Sequence, residues 1–183
     1  MKNIKYLIVL ASIVLSNLFA SPLLAQDKSF IKDYLERLDN SKKYLIIVAQ
    51  TMPEGKYDFK ATPESMSFAE NLMHIGWAMD WHSQTLMGER LARDWKTDTE
   101  LKVDNKSKKE MINTIERTFD KTIEFISNFD INKLEERLDY FGADRTKRQI
   151  LLLLSDHITH HRGQMLVSIR LNGLKPPRYV LYQ

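Results

Sequence analysis

The chain predicts an all-α fold, a four-helix bundle with one long crossover between its second and third helices. Three observations predict it. Apolar residues recur at helical spacing in four stretches. Glycine and proline are few, 6 and 5 in 183 residues, and fall at the joints between those stretches. No pair of alternating segments reads convincingly as paired strands, which leaves helix-on-helix packing as the architecture.

The elements follow in order. Lys2 and Lys5 precede an apolar run from Leu7 to Leu15 that continues through Phe19, then small and turn residues at Ala20, Ser21 and Pro22. This is the layout of a secretory signal peptide, with a core too short for a spanning helix. Cleavage after Ala25 is expected, dividing the chain into a leader (1–25) and one domain (26–183). Cleavage after Ala20 or retention as a membrane anchor are the alternatives. The first helix runs roughly from Ser29 to Gln50, with Phe30, Tyr34, Leu38, Leu45, Val48 and Ala49 spaced for one buried stripe. Met52 to Gly55 is a turn, and the loop from Lys56 to Pro63 carries Tyr57 and Phe59. The second helix begins near Ser65 or Ser67, either able to cap its first amides, and ends at Gly88. Its apolar side is Phe68, Leu72, Ile75, Met79 and Leu86.

Glu89 to Lys106 is charged, without clear period and long for a compact domain, hence a crossover. The third helix spans about Ser107 to Asn128, opened by a capping box of Ser107 and Glu110, with Met111, Ile112, Ile115, Phe119, Thr122 and Ile126 inward. Leu134 to Ala143 reads as a linker or short helical turn around Gly142. The fourth helix runs from about Thr146 to Leu171 and stops at Asn172-Gly173. Its middle, ILLLLSDHITHH, is apolar on nearly every side and then turns ligand-rich, so this helix is central. The Pro176-Pro177 tail is extended.

Charge and cysteine usage narrow the chemistry. Losing the leader removes two lysines from a formal net charge of +3, and every carboxylate lies beyond it. The remaining charges alternate in sign, which disfavours nucleic acid as a partner. There is no cysteine, hence no disulfide, thiolate ligand, cysteine nucleophile or lipobox.

Histidines carry the functional signal. Three of the five lie in SDHITHHRGQM. His157 and His161, four apart, differ by only about 40° around a helix and can share one metal ion, whereas His160 lies about 60° to the other side. His160 is read as supporting a ligand or lining the pocket. His74, in ENLMHIGWAMDWH, is the leading third ligand. Three imidazoles leave a coordination position open, as catalytic zinc sites do. His82 is read as a helix-surface or rim residue. Glu70 either orients a ligand imidazole or serves the start of its helix. Trp77 and Trp81 are assigned to the core, Arg162 to a structural ion pair, and Gly163 to a close helix approach.

The run His157-Ile-Thr-His160-His161-Arg162-Gly163-Gln164 resembles the H-x-x-H-H-R-G-Q signature on the last helix of the DinB-like (DinB/YfiT) superfamily. The segment YDFKATPESMSFAENLMH, Tyr57 to His74, is similar to that family's stretch into its second helix. The resemblance implies an up-down-down-up bundle holding a divalent metal, zinc or nickel, through His74, His157 and His161, and a homodimer. It also implies thiol-dependent S-transferase or isomerase relatives. A metal-dependent thiol transferase or hydrolase of unspecified substrate is therefore expected, with no catalytic base assignable. The alternative is a non-catalytic metal- or ligand-binding protein related to stress. Either would be exported, periplasmic or secreted, with a small molecule or thiol as partner and membrane contact only through an uncleaved leader.

Overall fold

A computed structural model describes the backbone of residues 2–179 and the side chains of residues 26–179. Four helices pack around one core: α1 (Lys2–Thr51), α2 (Phe68–Asp80), α3 (Lys108–Ser127) and α4 (Lys147–Leu171). The first helix extends N-terminally past the Ser29 start expected from spacing; its side chains before residue 26, and with them the leader and its cleavage point, lie outside the described residues. Among those, no helix is long and apolar enough to cross a membrane.

Three helices start where a side chain satisfies their free amides. Ser67, not Ser65, caps α2: its hydroxyl accepts from the Glu70 amide at 3.0 Å, and Glu70 accepts from the Ser67 amide at 2.6 Å. Ser107 with Glu110 and Thr146 with Gln149 repeat the device on α3 and α4. The apolar stripes then meet, with α2 against α3 and α4, and α1 against α3 and α4. Phe68, Leu72, Phe119, Leu151 and Leu154 are fully buried between them. A close helix approach occurs at Gly76, where an added Cβ would lie 2.7 Å from Ile115 Cδ1. Gly163, expected to play this part, has nothing within 4 Å of such a Cβ, because its face of α4 opposes no neighbouring backbone.

Two local features depart from the sequence reading. Arg137–Tyr140 and Ala143–Thr146 form an antiparallel hairpin, β1 and β2, where a linker was expected. Its two-residue loop, Phe141-Gly142, has positive φ at both positions, 54° and 79°. Turns of this hand match strand twist but favour Asn-Gly, so Phe-Gly hides the signal. Second, α2 passes into a π-helical segment at Trp81–Met87, which ends with the Gly88 amide bonded to the Ser83 carbonyl.

The crossover, 88–107, is irregular but tethered. Buried Asp80 accepts from Arg90 Nη2 at 2.5 Å and from Arg93 Nε at 2.9 Å, and Arg93 reaches Asp98 and Glu100 as well. This network, rather than helical packing, places the segment over the C-terminal half of α2.

Candidate metal centre

His74 comes from α2, and His157 and His161 from successive turns of α4. Their ring centroids are 5.0 Å (74–157), 4.6 Å (74–161) and 4.6 Å (157–161) apart. One ring nitrogen from each lies within 4.8 Å of the others. Two donors at zinc bond lengths of about 2.0–2.1 Å stand at most about 4.2 Å apart, so the rings sit near bridging range.

Hydrogen bonds select the nitrogen that faces the centre. Asn71, 1% exposed, donates its amide to the carbonyls of Met66 (3.2 Å) and Ser67 (2.9 Å). That fixes its oxygen as the acceptor for His161 Nδ1, 2.8 Å away. His161 therefore carries its proton on Nδ1 and turns the Nε2 lone pair inward. His157 Nε2 is buried with no hydrogen-bond partner among the described residues. Such an orphan costs about 1–3 kcal/mol unless something occupies the lone pair.

The electrostatics agree. Burial, reinforced by the neighbouring histidines, pushes His157 down to about 4 and His161 down to about 3, and burial lowers His74 as well. At neutral pH all three are uncharged, the form that binds a metal. The donor set, the orphan nitrogen and the neutral rings fit a divalent ion: the cluster could hold one.

The remaining candidates fall elsewhere. His160 is exposed and accepts from Gln164 Nε2 at 2.8 Å. Glu70 completes the α2 cap and pairs with Lys60 at 3.3 Å; the Ser67 amide above all, and then Lys60, hold its carboxyl below the usual range. His82, expected at the rim, is 2% exposed. Its Nδ1 donates to the Ala78 carbonyl at 2.6 Å and its Nε2 accepts from the Tyr140 hydroxyl at 3.1 Å. The hairpin, invisible in the sequence reading, buries it. Arg162 is buried but makes no ion pair among the described residues; its guanidinium lies 5.0 Å from the Tyr44 ring, near Tyr179. Trp77 and Trp81 are half-buried and stacked on each other, with Trp77 packed against the edge of the core as expected and Trp81 outside it. Sequence reasoning missed Asn71 altogether, although a polar residue three before His74 shares its helix face.

His74 also lines a cavity of about 430 Å³, together with Lys60, Glu64, Glu70, Lys102 and Trp95. The triad is thus not sealed: one ligand borders space of small-molecule size with charged groups around it.

A family model described as the DinB family matches residues 26–182. Among curated proteins, an uncharacterized protein of Bacillus subtilis strain 168, YrdA, is 41% identical over 44 residues, a match spanning 24% of this chain and 26% of the relative. Two solved structures share the fold. A DinB-like protein of Bacillus subtilis, YjoA, superposes with TM-score 0.65 at 18% identity, covering 82% of this chain and 99% of that one. A DinB-like protein of Bacillus cereus ATCC 10987 gives 0.62 at 21% identity, over 82% and 95%.

Proposed function

The chain belongs to the DinB family, and on that premise we propose that it is an exported metalloprotein whose His74, His157 and His161 hold one divalent ion, zinc or nickel. The observation that carries the reading is the buried Nε2 of His157, without a hydrogen-bond partner among the described residues, in a cluster with two other neutral imidazoles. An ion there supplies Lewis acidity, lowering the pKa of a thiol or water that reaches it. The protein's own part is to hold His161 in one tautomer through Asn71, to keep the imidazoles neutral by burial, and to leave one side open to the cavity at His74. This supports a metal-dependent thiol transferase or hydrolase.

One observation favours a second reading, a non-catalytic metal or ligand binder. Glu70 is already engaged by its cap and Lys60, and His160 by Gln164, so neither stands uncommitted as a proton handler. Elemental analysis of protein purified without an affinity tag tests the metal. Near one equivalent of a transition metal, lost in His74→Ala, is expected, and a protein that takes up neither zinc nor nickel refutes the site. Thiol-transfer and hydrolase panels, run before and after chelation and zinc restoration, then separate enzyme from binder.

The finer architecture belongs to the same proposal. The helices run up-down-down-up, supported by the irregular crossover between α2 and α3. Homodimer formation is supported by the exposed apolar residues Leu152, Val167 and Leu171 on α4. Export rests on the basic start and apolar run of the leader, and mass analysis of the N-terminus of recovered protein tests it.

A further inference from the structure

A strip of aromatic rings borders the triad, and metal binding does not account for it. From His74 outward, Trp77 stacks on the imidazole at 5.5 Å and 12°, and Trp81 stacks on Trp77 at 5.6 Å and 8°. The strip continues onto the hairpin, where Phe141 lies 5.2 Å from Trp81 at 38°. Trp95 from the crossover meets Trp77 edge-on at 5.8 Å.

Only Trp77 packs against the core; the outer rings do not fill it. Trp77 and Trp81 are half-buried, Trp95 is 52% exposed and Phe141 is 76% exposed. Phe141 also stands at φ 54°, a conformation that disfavours bulky side chains and for which Asn or Gly is the usual choice. An exposed ring held in a strained turn stabilises little. The turn is nonetheless fixed in place, because the adjacent Tyr140 donates its hydroxyl proton to buried His82. The strip is therefore preorganised, so a ligand laid on it need not bear the cost of ordering it.

The kind of ligand follows from the rings. Near-parallel offset stacking already repeats from His74 to Trp81, and another planar ring extends that pattern. A cationic ligand is the weaker match, since Lys102 Nζ already lies 5.3 Å from the centre of the Trp95 ring. Resting on the metal reading above, the geometry points to a substrate carrying a flat aromatic ring, seated on Trp77, Trp81 and Phe141 while its metal-seeking polar group reaches the histidines.

Hydroxamates on the zinc-loaded protein test this, since all share one metal-seeking head. Acetohydroxamate reports the head alone; benzohydroxamate and cyclohexanecarbohydroxamate add a six-carbon ring, flat in one and puckered in the other. By calorimetric titration, benzohydroxamate should bind about 3- to 10-fold tighter than the cyclohexyl compound, the ratio expected for aromatic pairing beyond area burial. The ratio should fall toward one in Trp81→Ala and in Phe141→Asn, the latter keeping a residue suited to the turn and hence the fold. A ratio of one in the native protein, or one retained in both variants, overturns the proposal. Failure of zinc uptake, or of acetohydroxamate to bind the loaded protein, instead overturns the metal reading, and the proposal falls with it.

Discussion

Replacing Asn71 by alanine should weaken metal binding without removing a ligand. The side chain is buried and makes three hydrogen bonds, one accepted from His161 Nδ1 and two donated to the Met66 and Ser67 carbonyls. Alanine leaves the Nδ1 proton of His161 without a partner, which costs about 1–3 kcal/mol and frees the ring to turn or change tautomer. Loss of such a supporting bond typically lowers metal affinity about 10- to 100-fold. The consequence for stability can be worked out. Zinc at a hundred times the native dissociation constant raises the unfolding free energy by about 2.7 kcal/mol. At the same zinc concentration, the variant should gain only about 0.4–1.4 kcal/mol. Competition against a chromophoric chelator gives the affinity, and urea unfolding with and without zinc gives the stability. Asn71→Asp keeps an acceptor for His161 but turns its second oxygen toward the Met66 and Ser67 carbonyls, so it should recover only part of the affinity. Unchanged zinc affinity in Asn71→Ala would refute the assignment of Asn71 as the residue that orients His161.

Three further outcomes are expected. Metal-free protein should lose stability as pH falls below about 6.5, the unfolded-state histidine value. Folded His157 and His161 resist protonation down to about 4 and about 3, so the unfolded chain binds more protons across that window. Urea midpoints between pH 7 and 4.5 should fall, and less steeply in His161→Ala; a flat profile would contradict the depressed values. Gly76→Ala should destabilise by about 1–3 kcal/mol through overpacking against Ile115, whereas Gly163→Ala should stabilise by about 0.5–1 kcal/mol, both read from thermal unfolding. Asp80→Ala should release the crossover by leaving Arg90 and Arg93 without their shared carboxylate, seen as faster limited proteolysis within residues 89–106; an unchanged cleavage rate would place the tether elsewhere.

The helices were readable because their signals are local. A hydroxyl followed three residues on by a carboxylate or side-chain amide can cap a helix, and Ser107-Glu110 and Thr146-Gln149 open α3 and α4 in this way. Spacing likewise placed His157 and His161 on one face. The hairpin escaped because its strands have four residues each and its turn is Phe-Gly, so neither periodicity nor turn chemistry announced it. With it went the burial of His82, which depends on Tyr140, 58 residues away.

By itself, then, the order of residues determined the helical segments, the starts of α3 and α4 and the two imidazoles one turn apart, since these rest on interactions spanning about four positions. The tertiary structure decided which groups surround those imidazoles: Asn71 reaches across 90 residues to set the tautomer of His161, and packing leaves His157 Nε2 without a partner among the described residues. Burial and orientation are properties of the assembled core, because only when distant segments meet does a lone pair lose its water and acquire a direction.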